Sequence, residues 1–329
     1  MFCHSSTDTW PNLRAHVSFW RSTVSATISW LATALCASMV AADSPASSTP
    51  REQGQFEIQL TDDGFIKRDA KYWPTSGDAP DELVYTLEAR DGRMRIMRHH
   101  LETGETRRFD EREDLSDREL AFSADGSVYA FNTVSGLSSR IHVVDTKNKR
   151  TVTMPQIGRH SWSNWPAISP DGRQMAYTEG AKVIYSYDVL AAGGKESIRR
   201  LTPDGIGSAS DYWPSFSPNG EHIVFGSNRD HDFEIYVMDS RGGNQQRLTE
   251  SRGIDMRPCY SPDGSRIAFT SNRDGNYEIY VMRADGSAVT RVTHNPERDD
   301  FPSWHPDGRH LLYISERQGS FDVYLVTLP

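Results

Sequence analysis

A six-residue pattern, whose most regular form ends in Ser-Pro-Asp-Gly, returns along this chain at nearly constant spacing. Its copies occupy residues 121–126, 167–172, 215–220, 259–264 and 303–308. A degenerate copy appears when Pro74–Tyr85 is aligned without gaps to Pro214–Phe225, which puts Pro80 at the glycine position. The last position of the pattern then falls at 80, 126, 172, 220, 264 and 308, in steps of 46, 46, 48, 44 and 44 residues. A strand-rich period near forty residues is typical of β-propeller blades.

The clearest repeat, residues 211–249, predicts four antiparallel strands. Its innermost strand ends in the turn Pro218-Asn219-Gly220, where proline presets φ and glycine accepts a positive φ. The β-rich segments 222–226, 234–238 and 246–249 follow, separated by short turns. Because one blade cannot bury both of its faces alone, neighbouring blades must stack.

The last repeat predicts how the ring closes. It ends with Tyr324–Pro329 after three strands and lacks the outer Arg-Leu-Thr element of the other repeats. A similar element, Ile58–Thr61, stands before the first repeat, so we expect the N-terminal strand to complete the last blade. The 275 residues from 55 to 329 give about 46 per blade for six blades, whereas seven would need about 39. The sequence therefore predicts an all-β fold, a six-bladed β-propeller of four-stranded antiparallel blades.

Residues 1–42 differ in composition from the rest of the chain. Arg14 and Arg21 are the only basic residues there, and the uncharged segment 24–42 is rich in Ala, Leu, Ile and Val and ends in Val-Ala-Ala. This pattern predicts a secretory signal peptide over 1–42, hence a periplasmic or otherwise exported protein. An uncleaved membrane anchor is the alternative, since 19 uncharged residues could just span a bilayer. The Pro/Ser-rich segment 43–54 predicts a disordered linker.

Charge and motif content exclude several classes of function. The net charge is -9, and -10 without residues 1–42, which opposes nucleic acid as the main partner. Cys259 is the one cysteine outside the signal segment, at a position where other repeats have Ser or Ala. A buried structural role is therefore favoured over a reactive thiol. The chain has no Gly-x-Ser-x-Gly, His-Glu-x-x-His or P-loop pattern, so we expect no enzyme activity.

Three runs of the repeat closely resemble the WD-like repeats of TolB-type propellers. They are Pro-x-aromatic-Ser-Pro-Asp-Gly, Ile-Ala-Phe-x-Ser-x-Arg-Asp-Gly and Glu-Ile-Tyr-Val-Met, and they are clearest over residues 211–324. The resemblance implies a periplasmic propeller that binds protein partners of the cell envelope, such as a lipoprotein of Pal type. TolB proteins also carry an α/β domain before the propeller. Here a signal segment and a linker precede the blades, so the resemblance is to a TolB-like propeller.

A recurrent acid lies three residues before the proline position of the repeat. Ser163 and Lys71 take this position in two blades, and the acids are Asp117, Asp211, Asp255 and Asp299. We expect these acids to ring one mouth of the central channel, where they could hold a cation such as Ca²⁺ or receive a basic peptide end. The alternative is that each aspartate caps its own loop by accepting backbone N–H bonds.

The residue immediately before the same proline position is large. Tyr72 and Tyr212 precede two members of this set, which consists of Trp73, Trp165, Trp213, Arg257 and Phe301. Such side chains at a propeller mouth are good anchors for a partner, and packing between blades is the alternative.

A charged pair is also expected in the later blades. Arginines lie nine residues after the turn glycine, and acids lie fourteen residues after it. The two sets are Arg229, Arg273 and Arg317, and Glu234, Glu278 and Asp322. The two positions flank one hairpin, which predicts an ion pair across it worth about 0–1 kcal/mol.

Together these patterns predict an exported, non-enzymatic propeller that binds a protein or peptide partner at its channel face. No membrane span is expected after signal cleavage. The alternative is a metal-dependent propeller enzyme of lyase or lactonase type, acting on a carbohydrate or small ester in the central channel. Its support in the sequence is the predicted ring of acids alone.

Overall fold

The computed structural model describes residues 56–74, 81–110, 116–155, 157, 162–180, 182–191, 197–203 and 209–328. The predicted signal peptide (1–42), the predicted linker (43–54) and residue 55 lie outside the described residues. The described part contains no α-helix. Its 24 strands form six four-stranded antiparallel sheets, which are the blades of a six-bladed propeller. Because these residues form no α-helix, they include no helical segment that could span a bilayer.

Each blade consists of four strands in chain order, counted outward from the channel, and the last blade also takes in the first strand of the chain. The first three blades are β2 (Ile66–Tyr72), β3 (Glu82–Glu88), β4 (Met94–His100) and β5 (Thr106–Arg108); β6 (Ser116–Phe122), β7 (Val128–Ser135), β8 (Ser138–Asp145) and β9 (Arg150–Thr153); and β10 (Ser163–Ile168), β11 (Gln174–Glu179), β12 (Val183–Asp188) and β13 (Ile198–Arg200). The last three are β14 (Asp211–Phe216), β15 (His222–Ser227), β16 (Glu234–Asp239) and β17 (Gln246–Arg247); β18 (Asp255–Tyr260), β19 (Arg266–Ser271), β20 (Glu278–Arg283) and β21 (Thr290–Arg291); and β22 (Asp299–Trp304), β23 (His310–Arg317), β24 (Ser320–Thr327) and β1 (Glu57–Gln59).

The first strand closes the ring, which confirms the expected closure. Ile58 of β1 lies opposite Leu325 of β24 in an antiparallel pair. Beyond the strand, the backbone N–H of Leu60 donates to the carbonyl of Val323 at 2.8 Å. The hydroxyl of Thr61 donates to Oδ1 of Asp322 at 2.9 Å, so chain segments separated by more than 250 residues form one sheet. This pairing covers the edge that β24 would otherwise expose.

The second strand of each blade is buried on both faces, which explains its continuous apolar sequence. In β15, Ile223 and Phe225 pack against Ala176 and Ile184 of the preceding blade. Val224 points the other way and packs against Ile267 and Phe269 of the following blade. Because successive side chains of a strand face opposite sides, one strand joins both neighbours. Each fully buried side chain of this kind stabilises the stack by about 1.5–3 kcal/mol.

The strand register of the first blade corrects the gapless alignment made from the sequence. Tyr72 pairs with Leu83 as Phe216 pairs with Ile223. Pro74 therefore corresponds to the turn proline Pro218, and Lys67 takes the position that the alignment gave to Lys71. Residues 75–80, with the Pro80 of the alignment, lie outside the described residues. The alignment failed because the innermost strand of this blade has no proline to mark its position.

Candidate functional site

The innermost strand of every blade contains a bulge at the same place. The pairing between the first two strands shifts register there, and a residue with positive φ lies within the shift. These residues, called the bulge ring below, are Asp69 (φ 55°), Glu119 (60°), Trp165 (49°), Trp213 (54°), Arg257 (53°) and Phe301 (57°). A left-handed backbone costs a non-glycine residue about 1–3 kcal/mol. Six such positions in register point to a strained feature that the rest of the fold maintains.

The bulge ring lies at one end of a channel cavity of about 650 Å³. All six of its residues are half-buried and line this cavity. Two residues further along each strand, the wall carries Lys71 in the first blade and small side chains in the others, namely Ala121, Ala167, Ser215, Cys259 and Ser303. The turn prolines Pro170, Pro218, Pro262 and Pro306 line the far part of the cavity. The channel is therefore open along its middle, and its side-chain chemistry is concentrated at the bulge ring.

The first two blades place two carboxylates in the ring. Oδ1 of Asp69 lies 2.9 Å from Nζ of Lys71, which also donates to the carbonyl of Leu120 at 2.7 Å. Oε1 of Glu119 lies 3.4 Å from Nε of Arg118. Burial raises the pKa of Glu119, and the Arg118 charge opposes the rise. Both acids therefore face a cation of their own blade.

Aromatic side chains form the next part of the ring. The rings of Trp165 and Trp213 lie 5.7 Å apart in an edge-to-face arrangement. The Tyr212 ring lies 5.2 Å from each of them, and Phe233 packs on Trp213 at 5.5 Å. Tyr212 is half-buried beside the two tryptophans and does not line the cavity. Nε1 of Trp213 is buried without a hydrogen-bond partner among the described residues, so a bound carbonyl could satisfy this donor if the ring shifts to expose it.

Arg257 occupies the ring between two aromatic side chains. Its guanidinium carbon lies 5.1 Å from the ring centroid of Trp213 and 4.1 Å from that of Phe301. Nη1 of Arg257 lies 3.0 Å from Oδ1 of Asp300 in the next blade. Burial lowers the pKa of Arg257, and the Asp300 charge opposes that fall. Stacking and the ion pair hold this side chain in place.

The four recurrent acids lie inside the blades and do not ring the channel mouth as expected. Asp117, Asp211, Asp255 and Asp299 are at most 5% exposed, and none lines the cavity. Asp117 accepts a 2.6 Å bond from the hydroxyl of Thr133, and Asp299 accepts one of 2.6 Å from Ser315. The bulge explains their position, because it turns the residue two positions later toward the channel and leaves the acid within the sheet.

The ion pair predicted across one hairpin is wrong, because the two charged positions face different strands. Arg229 turns to the innermost strand and lies 3.0 Å from Asp211, as Arg273 lies 2.7 Å from Asp255. Glu234 instead pairs with Arg247 of the outer strand at 2.8 Å. The same holds in the next blade for Glu278 and Arg291. In the last blade Asp322 pairs with Lys67 of the first blade at 2.8 Å, and Arg317 pairs with Glu57.

Two further expectations concern Trp73 and Cys259. Trp73 does not belong to the bulge ring. In the corrected register Trp73 comes directly before the turn proline Pro74, past the end of the innermost strand. It packs on Phe109 and Phe122 between the first two blades. Cys259 lies in the channel wall, where its thiol contacts the carbonyl oxygen of Pro302 at 3.2 Å. Burial raises the pKa of the Cys259 thiol to about 12, which disfavours the reactive thiolate.

Sequence reasoning missed Asp69 and Glu119, the two acids of the bulge ring. The residue after each of them is Ala70 or Leu120, where the other four repeats have proline. The set of large residues was defined by the proline that follows each member, which left out these two strands. Alignment to the buried acid position, two residues before the bulge, would have found Glu119 from Asp117. Asp69 offered no such signal, since Lys67 replaces the acid there.

Comparisons with known proteins agree with this architecture. Residues 165–328 match the family described as the TolB beta propeller domain. A TolB homolog of Chlorobium chlorochromatii is 33% identical over 93 residues, which are 28% of this chain and 19% of that protein. This chain thus matches about a fifth of the length of that relative.

Two solved structures share the fold at low sequence identity. A putative TolB from Agrobacterium tumefaciens has a TM-score of 0.60 and 21% identity, covering 80% of this chain and 91% of that one. A gluconolactonase from Xanthomonas campestris has a TM-score of 0.59 and 14% identity, covering 84% of this chain and 90% of that one. The repeats, the ring of six sheets and the family match over residues 165–328 together show that the chain is a TolB-like β-propeller.

Proposed function

We propose that this chain is an exported, non-enzymatic propeller that binds a protein or peptide partner at the bulge ring. The observation that carries the proposal is the set of six residues in left-handed conformation that converge on one cavity of about 650 Å³. Strained residues cluster at sites that bind ligands, because only a rigid scaffold can hold them. A cavity of this size accommodates side chains of a partner's loop or chain end.

The chemistry of the ring indicates which part of a partner would bind there. Asp69, Glu119 and Arg257 each face an opposite charge of the protein itself. The features left for a partner are therefore the half-buried Trp165 and Trp213, with the unpartnered Nε1–H of Trp213. We propose a segment with an apolar or aromatic anchor for the two tryptophans and a backbone carbonyl for the indole donor.

The cellular setting of this proposal rests on the sequence. The predicted signal peptide at 1–42 supports export to the periplasm, and the acidic charge of -9 opposes nucleic acid as a partner. The TolB family match supports a protein partner in the cell envelope, a Pal-type lipoprotein being one candidate. Ca²⁺ in the channel stays an untested expectation, and the four acids first considered for it are buried within the blades.

Affinity capture from an envelope extract tests the proposal with matched variants. Trp213→Ala removes the aromatic anchor, and Trp213→Phe keeps a ring but removes the Nε1–H. Leu190→Ala is the control, since Leu190 is an exposed apolar residue, 56% accessible, in a turn at the other end of the blades. We expect one partner that the wild type and Leu190→Ala capture equally and that Trp213→Ala loses at least tenfold. Equal capture by Trp213→Ala, folded with an unchanged Tm, would place the binding face elsewhere.

The metal-dependent enzyme remains the weaker alternative. The resemblance to a gluconolactonase at 14% identity concerns the fold alone. In the described part of the chain, one group of three His, Cys, Asp or Glu side chains is close enough to share a metal ion, and it lies in a turn away from the bulge ring. Turnover of a lactone or sugar acid by the purified chain, lost in Glu119→Gln, would favour the enzyme over the binding protein.

A further inference from the structure

The turn between β22 and β23 of the last blade departs from the repeat in a specific way. In the second to fifth blades a serine opens this turn, and its hydroxyl donates to the residue two positions later. Examples are Ser217 to Asn219 at 2.6 Å and Ser261 to Asp263 at 2.5 Å. In the last blade this serine is replaced by His305, and a second histidine, His310, opens the following strand.

The two imidazole rings converge on one carboxylate. Nδ1 of His305 lies 3.0 Å from Oδ1 of Asp307, and Nδ1 of His310 lies 2.6 Å from Oδ2 of the same residue. One ligand atom from each of the three residues lies within 4.8 Å of the others. Two ligand atoms on a tetrahedral ion with bonds of about 2.0–2.2 Å lie about 3.3–3.6 Å apart, so the two nitrogen–oxygen contacts must open slightly around an ion.

The tautomer of His305 sets what an ion must displace. Nδ1 of His305 lies 3.1 Å from the backbone nitrogen of Asp307, whose N–H it accepts in one tautomer, and 3.0 Å from Oδ1 of Asp307, to which it donates in the other. Its single lone pair cannot accept this N–H and bind a metal ion at the same time, so an ion bound at Nδ1 takes the place of the backbone donor.

The backbone already holds the three side chains in place. The N–H of His305 donates to the carbonyl of His310 at 2.9 Å, and the N–H of Gly308 donates to the carbonyl of His305 at 3.0 Å. Oδ1 of Asp307 accepts the N–H of Arg309 at 2.7 Å. The backbone of the turn is therefore fixed, and the rearrangement on binding is confined to the three side chains, which limits the conformational entropy that is lost.

We propose that His305, Asp307 and His310 form a binding site for a divalent transition-metal ion, which we assign as Zn²⁺. Two imidazoles and one carboxylate are a ligand set that zinc accepts in tetrahedral geometry, with water as the fourth ligand. Asp307 is exposed and both histidines are half-buried, so the ion can enter from solvent. The site lies at the end of the innermost strand opposite to the bulge ring and is separate from the proposed partner site.

A bound ion would act on the junction where the ring closes. The buried ring of Tyr72 in the first blade packs edge-on against His305, with centroids 4.6 Å apart. Zinc that holds His305 also holds this contact between the last blade and the first. Binding to the folded state alone stabilises it in proportion to the logarithm of the zinc concentration.

Zinc titration of the full chain, purified without a tag and freed of metal by a chelator, tests the site. The first variant is His305→Ser, which restores the serine of the other repeats and should therefore fold. His310→Asn is the second variant. His222→Ala is the matched control, because His222 occupies the place of His310 in a blade whose turn has Ser217 instead of a second histidine.

We expect the wild type and His222→Ala to bind one Zn²⁺ per chain in calorimetry and metal analysis, with a Tm that rises by several degrees. His305→Ser and His310→Asn should bind at least tenfold more weakly and show no rise. With Co²⁺ in place of zinc, the wild type should show the visible absorption of a tetrahedral site, and His305→Ser and His310→Asn should not. A wild type that takes up no stoichiometric zinc, or a Tm rise that persists unchanged in His305→Ser, would overturn the proposal.

Discussion

Nη2 of Arg317 donates to Oε1 of Glu57 at 2.5 Å and so joins the last hairpin of the propeller to the strand that closes the ring. In the two preceding blades the corresponding arginines, Arg229 and Arg273, face the buried acid of their own blade. Arg317 keeps the same Nε bond to a serine, here Ser315 at 3.0 Å. The closing strand thus takes an arginine away from Asp299, and the buried acid of the last blade is left with neutral partners.

This difference predicts an unusual pH dependence for Asp299. Burial raises the pKa of Asp299 from 3.8 to about 6, and the charge of Glu278 adds to the rise. The hydrogen bonds from the neutral Ser315 and Asn295 oppose it but do not cancel it. The folded state then holds the proton more tightly than the unfolded state. The stability that this group contributes is fully present below about pH 4 and is lost as the pH rises through 6. Asp299→Asn should therefore be more stable than the wild type by about 1–3 kcal/mol at pH 7.

Urea unfolding of both chains between pH 4 and pH 8 checks this prediction. The two stability curves should meet near pH 4 and separate as the pH approaches 7. A constant difference across this range would show that Asp299 does not titrate between the two states.

Asp255 should respond in the opposite sense, although it occupies the same position of the repeat. Its carboxylate lies 2.7 Å from Nη2 of Arg273, whose side chain is 20% exposed. Asp255→Asn removes the charge and leaves the arginine without its partner, which we expect to cost about 1–3 kcal/mol at pH 7. Chemical denaturation of both chains at pH 7 measures this change in the free energy of unfolding. Equal free energies of unfolding would mean that water solvates the Arg273 guanidinium as well as Asp255 pairs with it.

The closing strand predicts a sharp boundary for truncation. A chain that starts at residue 55 keeps β1 and should melt within about 2 °C of one that starts at residue 43. A chain that starts at residue 62 loses β1 together with the Thr61 contacts to Asp322 and Val323. It exposes the edge of β24, so we expect a Tm about 10 °C lower or more, with aggregation. Calorimetry compares the three chains. Equal Tm values for the chains that start at residues 55 and 62 would disprove the closure.

Gly242 should be intolerant of a side chain because it touches the neighbouring blade. It has φ +90°, and an added Cβ would lie 2.6 Å from the carbonyl oxygen of Leu201. Gly286 meets Leu248 in the same way one blade later. We expect Gly242→Ala to cost about 2–4 kcal/mol. The control is Gly136→Ala, with φ +57° and no atom within 4 Å of the new Cβ, which should cost about 1 kcal/mol. Equal losses of unfolding free energy in urea would show that the positive φ alone sets the cost and that the contact with Leu201 adds nothing.

The repeats made much of this molecule predictable. The spacing of Gly126, Gly172, Gly220, Gly264 and Gly308 follows from the turn chemistry, and the structure gives all five a positive φ between 66° and 73°. The half-buried Trp165, Trp213, Arg257 and Phe301 were found at the channel because a proline follows each of them. Asp69 and Glu119 were not found, since no proline marks their strands. A sequence motif such as this proline identifies a site residue only in the strands that contain the motif.

The sequence by itself determined the number of blades, their four strands and the closing role of the segment around Ile58–Thr61, because turn residues and strand alternation act over a few neighbouring positions. Only the tertiary structure decided which side chains share a space. The bulge turns Asp69 and Trp213 toward one channel and keeps Asp211 within its sheet, and no periodic pattern records that single shift of register. The pairing of Arg317 with Glu57 likewise joins residues 260 positions apart, and it exists because the ring brings its two ends together.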